Sequence, residues 1–250
     1  MTETNDSQVD RNCMGSFGAT VGETPLKTNG EDVSFKSTWA FDLNAILLLF
    51  TVNDHTYVGL GEVDLNRSRM FIKQTVPLTV NFRHNHSNWF PLSHPPNLYD
   101  GVILTVYDSS DNYAFFTVKM GTNNDVEVSQ LNVPMRTRAV GCLDGILYGL
   151  VYNDTARQIN HRQQIDLVKY SISSGTHVQE PTVNWEIVDD AILMNLATTE
   201  NRFCYVGRRV FVADLWNDKY RIISLDLDTK KWLRTSFEFP RLSISMHIEQ

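Results

Sequence analysis

The densest collection of chemically capable side chains in this 250-residue chain is Arg83-His84-Asn85-His86-Ser87-Asn88-Trp89-Phe90-Pro91-Leu92-Ser93-His94-Pro95-Pro96-Asn97, with three of the seven histidines. A metal site would require this stretch to fold back and to find carboxylate or thiolate company, and the segment supplies neither. No metal site and no cofactor are therefore expected. Arginine and aromatic side chains form the energetic centres of protein interfaces. As an exposed loop the stretch would offer Arg83, His84, His86, Trp89 and Phe90 to a protein partner, with core packing as the competing role for Trp89.

Other chemistry finds less support. A Gly-x-Ser-x-Gly nucleophile elbow and a phosphate-cradling glycine loop are both missing from the sequence. Cys142 and Cys204 stand in apolar strand-like context without basic neighbours to activate them, so both read as inert core residues. Asp226 and Asp228 would share one face of a strand, as a glycosidase pair does, yet aspartate is far more often a turn former. The Asp box of sialidases is broken as well, since Asp228 stands where that motif needs glycine. Asn5, Asn66, Asn85 and Asn153 open Asn-x-Ser/Thr triplets, which read as chance matches.

Composition narrows the class of partner. A net charge of −7 and no basic run longer than Arg208-Arg209 argue against nucleic acid, which demands clustered cations. The longest apolar run, Ala45 to Phe50, is far short of the roughly 18–20 residues that span a bilayer, so no membrane association is expected. Three cysteines without paired spacing, behind a start that lacks a basic and apolar leader, fit reduced thiols in the cytoplasm or nucleus.

The elements that must position these residues are strands. Residues 1–34 carry six carboxylates against Arg11 and Lys27 with little apolar surface, and read as a disordered acidic tail. Beyond it, 35–250 reads as a single domain. Four runs, Ala45–Phe50, Val102–Val106, Ile146–Val151 and Val210–Ala213, are apolar at consecutive positions and too short for helices. Successive strand residues point to opposite faces, so each run has to be covered on both sides. Only Ile187 to Glu200 shows helical spacing, and one helix cannot cover four strands; sheets must therefore cover sheets. Each run leads through a polar turn into a second strand, giving units that begin at Leu43, Tyr99, Leu143 and Gly207. A period of about 40–50 residues with several strands per unit is the signature of a β-propeller. Arg241 to Ile248 alternates polar with apolar and would suit a strand closing the ring.

Two stretches make the likeness more specific. Pro134-Met135-Arg136-Thr137-Arg138-Ala139-Val140-Gly141-Cys142-Leu143-Asp144-Gly145-Ile146-Leu147-Tyr148 resembles the opening of a kelch repeat. Leu225-Asp226-Leu227-Asp228-Thr229-Lys230-Lys231-Trp232 resembles its strand-turn-strand close, in which a Trp docks between blades, and Pro240-Arg241 resembles the start of the next repeat. The expectation is an all-β chain: a small or incomplete kelch-like β-propeller of about four blades. The resemblance implies a non-catalytic protein-binding scaffold or adaptor that works through inter-blade loops. The alternative is a propeller-class enzyme, a glycan hydrolase or oxidase, with its site in a central channel.

Overall fold

Both-sided cover is what the computed structural model of the chain displays. It describes residues 9–11, 17–19, 26–28, 31–42, 45–53, 55–64, 69–80, 82–93, 95–108, 113–134, 136–153, 164–183, 203–216 and 219–240. Among these, every extended element is a β-strand and every strand pairing within a sheet is antiparallel. No helix of the described residues is long and apolar enough to cross a membrane. The candidate helix 187–200 and the alternating segment 241–248 lie outside the described residues.

The chain divides into two compact units, Met1–Leu131 and Asn132–Gln250, so the stretch read above as one domain contributes to both. In the first unit, β1 (Val9–Arg11) and β2 (Phe17–Ala19) form a two-stranded ribbon. Next comes a five-stranded meander of β3 (Leu26–Thr28), β4 (Glu31–Asp42), β5 (Ala45–Val52), β6 (His55–Asp64) and β7 (Arg69–Pro77). A four-stranded meander follows, made of β8 (Phe82–Pro91), β9 (Val102–Asp108), β10 (Tyr113–Met120) and β11 (Val126–Leu131). The boundary drawn near residue 34 falls inside β4, whose Val33 is buried.

The second unit holds two further meanders of four strands. One comprises β12 (Arg138–Leu143), β13 (Ile146–Asn153), β14 (Gln164–Ser171) and β15 (His177–Pro181). The other comprises β16 (Phe203–Val206), β17 (Arg209–Trp216), β18 (Lys219–Asp226) and β19 (Trp232–Pro240). The four sequence units are thus the central hairpins of the four large sheets: β5–β6, β9–β10, β13–β14 and β17–β18.

Strand alternation explains the core. Leu47 and Leu49 of β5 join a cluster with Val102, Leu104 and Val106 of the neighbouring sheet, while Leu48 and Phe50 turn to the opposite face beside Val33. In the second unit Tyr148, Leu150 and Leu167 pack against Val210, Ile223 and Leu225. Within each unit equivalent strands meet across the sheet-to-sheet gap. Ser37 of β4 meets Ser87 of β8, Gln74 of β7 binds the Val126 amide of β11, and Thr182, just past β15, meets Trp232 at the start of β19. These partners lie 50 or 52 residues apart. Turn chemistry sets the registers. Leu143 pairs with Ile146 across Asp144-Gly145, whose φ angles of +52° and +73° are those of a type I′ hairpin turn.

Candidate interaction surfaces

The histidine-rich stretch is not the loop that its polarity suggests: residues 82–91 form β8, the edge strand of its sheet. Phe82 pairs with Asp108 and Ser87 with Val106, so the register shifts across Arg83, His84 and His86, where the strand is bulged or irregular. The side chains of those three residues, and all of His94, lie outside the described residues. Trp89 and Phe90 are 3% and 4% exposed. Consecutive on a strand, they fill opposite covered faces, and a partner cannot reach them: of the two roles weighed for Trp89 the core role holds and partner contact does not, and the contact role expected for Phe90 is corrected to a core role. The indole of Trp89 donates to Ser37 Oγ at 2.9 Å, and the hydroxyls of Ser37 and Ser87 lie 2.6 Å apart, tying β8 to β4.

An accessible aromatic of this region is Tyr99, 68% exposed on the connection from β8 to β9. That connection is held by its own hydrogen bonds. Leu92 N–H donates to the Gly101 carbonyl at 3.1 Å and Gly101 N–H to the Asn97 carbonyl at 3.0 Å. The Asp100 amide, three residues on, donates to Asn97 Oδ1 at 2.8 Å, while Asn97 Nδ2 donates to Ser93 Oγ and to the Asp100 carboxylate. Met120 N–H donates to the Leu98 carbonyl at 2.9 Å and fixes the turn to the end of β10. Gly101, at φ +87°, has room for no side chain, because a Cβ there would sit 2.5 Å from the Val118 carbonyl. Tyr99 opens a repeat unit in the sequence and is not among the contact residues expected there. The signal was present in Pro95-Pro96-Asn97 before it and Asp100-Gly101 after it: an aromatic inside turn chemistry has no sheet face on which to bury its ring.

In the second unit charged residues lock the sheet ends to one another. The Arg208 guanidinium, on the turn before β17, donates through Nε to both Asp228 oxygens at 2.8 Å and through a terminal nitrogen to the Tyr148 hydroxyl at 3.4 Å. Asp144 lies 3.7 Å from the same guanidinium. The bond to Asp228 raises the pKa of Arg208 further above its ordinary value. Asp226 holds the β18–β19 turn: one carboxylate oxygen accepts from the Thr229 amide and hydroxyl, both at 2.9 Å, and from the Asp228 amide at 3.2 Å. The Thr229 amide above all keeps the Asp226 carboxyl below its usual range. Glu180 is likewise lowered, by hydrogen bonds from Lys169 and then Lys230. Asp226 and Asp228 are therefore committed to a turn and to an arginine, as aspartates in turns commonly are, and neither is poised for acid–base work on a sugar.

Cys142 is buried, and its thiol is pushed up to about 12 by burial first and by Asp144 second, so it carries no thiolate at neutral pH. Asn153, the start of one Asn-x-Thr triplet, spends its amide on the buried Asp166 carboxylate at 3.0 Å. Among the described residues no three His, Cys, Asp or Glu side chains converge as a metal site would require.

No family model matches the chain, and no curated protein matches it in sequence. Among solved structures, the crystal structure of an ACO/RPE65 chimera is similar at a TM-score of 0.38 and 12% identity, over 85% of this chain and 52% of that one. The chain spans about half the length of that protein.

Proposed function

We propose that the protein is a binding module, a kelch-like β-propeller scaffold or adaptor that holds a protein partner on the turns at its sheet ends. The observation that carries this reading is Tyr99: a largely exposed aromatic on a turn that six hydrogen bonds, from Leu92, Asn97, Asp100, Gly101 and Met120, hold in place. A rigid tyrosine loses little conformational entropy when a partner covers it, which makes it an efficient contact residue. Stacking of equivalent strands at 50 or 52 residues supports the blade assignment, since successive blades pack in that way. Commitment of Asp226, Asp228 and Cys142 to structure favours binding over catalysis.

Photo-crosslinking tests the reading. A benzophenone side chain placed at position 99 of the full chain is expected to capture a discrete protein from native extract, whereas the same group at exposed Val178 captures none in common. Loss of the captured band when excess unlabelled wild-type protein competes would confirm specificity. Identical capture from both positions, or none from position 99, overturns the proposal.

A further inference from the structure

We infer that the partner segment received by Tyr99 is cationic, an arginine- or lysine-bearing stretch of protein; this rests on the binding role proposed above and specifies its chemistry. The turn that carries the ring adjoins a chain reversal rich in carboxylates. Met120 N–H bonds the Leu98 carbonyl, and a Cβ on Gly101 would lie 2.7 Å from Lys119 Cβ, so the Tyr99 turn abuts the end of β10. There the chain reverses into β11, with Gly121 N–H donating to the Asp125 carbonyl at 2.7 Å. A Cβ on Gly121 would lie 3.0 Å from Asp125 Oδ1 and 2.5 Å from Glu127 Oε1, so both carboxylates gather at that reversal.

The segments 92–101 and 118–127 carry three carboxylates, Asp100, Asp125 and Glu127, against the single ammonium of Lys119. Lys119 pairs with Glu127 at 3.5 Å, which leaves Asp100 and Asp125 to set the sign of the local field. His94 of the same loop lies outside the described residues. An exposed tyrosine face attracts a guanidinium or ammonium through its ring quadrupole, and neighbouring carboxylates add to that attraction. The same carboxylates repel an acidic segment, so the patch selects by charge as well as by shape. The whole chain, at −7, steers in the same direction.

The test uses the full chain and two fluorescein-labelled dodecapeptides, alternating Arg-Ser and alternating Glu-Ser, with anisotropy read at low and at moderate salt. The Arg-Ser peptide is expected to bind saturably and the Glu-Ser peptide to bind more weakly or not at all. Tyr99→Ala leaves the charge of the protein unchanged and is expected to weaken the Arg-Ser peptide about two- to fivefold, the worth of an exposed cation–π contact. Tyr99→Phe, which keeps the ring, should retain most of the affinity. Asp125→Asn should weaken binding and flatten its dependence on salt. Equal affinity of wild type and Tyr99→Ala shows attraction to net charge alone and overturns the inference, as does a preference for the Glu-Ser peptide. Crosslinks from position 99 separate this inference from the reading beneath it. Capture through an acidic or apolar peptide of the partner overturns the cationic assignment and leaves the binding role standing, whereas no capture removes the binding role itself.

Discussion

Trp232 and Thr182, 50 residues apart and on adjoining sheets, are joined inside the second unit: the fully buried indole donates from Nε1 to Thr182 Oγ1 at 3.1 Å. The same hydroxyl donates to the Ile165 carbonyl at 2.7 Å. Backbone bonds from Val183 N–H to the Lys230 carbonyl and from Trp232 N–H to the Val183 carbonyl flank the contact. Indole, hydroxyl and two backbone bonds thus bind the edge of one meander to the start of the last strand of the next.

Removing that indole leaves a large void between two sheets. Trp232→Ala is expected to cost on the order of 3–5 kcal/mol in chemical denaturation. Thr182→Val keeps the volume but strands a buried N–H, at about 1–3 kcal/mol. Combining Thr182→Val with Trp232→Phe should cost less than the two single losses together, because the second change removes the stranded donor. A loss below about 1 kcal/mol for Trp232→Ala would show that the side chain does not fill the gap.

What could be read beforehand follows from how strongly burial constrains each strand. The central hairpins β5–β6, β9–β10, β13–β14 and β17–β18 were legible because a strand covered on both faces must be apolar at consecutive positions, as Leu47, Leu48, Leu49 and Phe50 are. The Asp144-Gly145 turn was legible because its positive φ angles restrict residue choice so severely. Outer strands such as β11 and β15 are half solvated, with Glu127, Ser129 and Gln130 or Val178 and Gln179 exposed, and the apolar alternation of β11 is only Val126 and Val128, too short to announce a strand. β8 hides behind Arg83-His84-Asn85-His86, polar residues that sit where its pairing register slips. Exposure is illegible for the same reason: Phe90 is buried beside polar neighbours that suggest a loop, and Tyr99 is exposed by turn geometry rather than by local polarity.

Acid should loosen the second unit in a defined window. Asp226 and Glu180 both have folded-state pKa values below their ordinary ones, the first through the Thr229 amide and the second through Lys169 and Lys230. Folding then favours their ionised forms. The associated stability is complete above the ordinary carboxylate range of about 4 and disappears as pH falls through the lowered folded values. Thermal melts between about pH 5 and pH 2 are expected to show a falling midpoint, and Asp226→Asn should reduce that slope while lowering the midpoint at pH 7. A variant with the slope of wild type would show that Asp226 contributes no charge-dependent stability.

Asp166 is a buried carboxylate with amide partners. It is 3% exposed, and one carboxylate oxygen accepts from Asn153 at 3.0 Å and from Gln179 at 2.8 Å. The other oxygen is buried with no hydrogen-bond partner among the described residues. A buried carboxylate whose partners among the described residues are neutral amides bears a desolvation cost that those bonds offset in part. Asp166→Asn is therefore expected to be neutral or to stabilise by about 1–2 kcal/mol, whereas Gln179→Ala, which strips away a donor, should destabilise by about 1–3 kcal/mol. A loss above about 2 kcal/mol for Asp166→Asn would mean that its charge is matched by a cation after all.

Gly149 offers the most local test of the core geometry. A Cβ built on it would lie 2.3 Å from Thr137 Cγ2 and 3.1 Å from the Arg138 carbonyl, and Thr137 has no exposed surface into which to retreat. Gly149→Ala should therefore destabilise by about 1–3 kcal/mol, the usual range for overpacking. The obstruction is one methyl group, so Thr137→Ser removes it while keeping the hydroxyl. In that background Gly149→Ala should recover part of the loss, the remainder reflecting the Arg138 carbonyl. Urea denaturation of the two single variants and the double variant decides the matter. Simple additivity of the two losses would place the clash elsewhere, whereas a double variant more stable than Gly149→Ala alone would fix Thr137 against the backbone of β13.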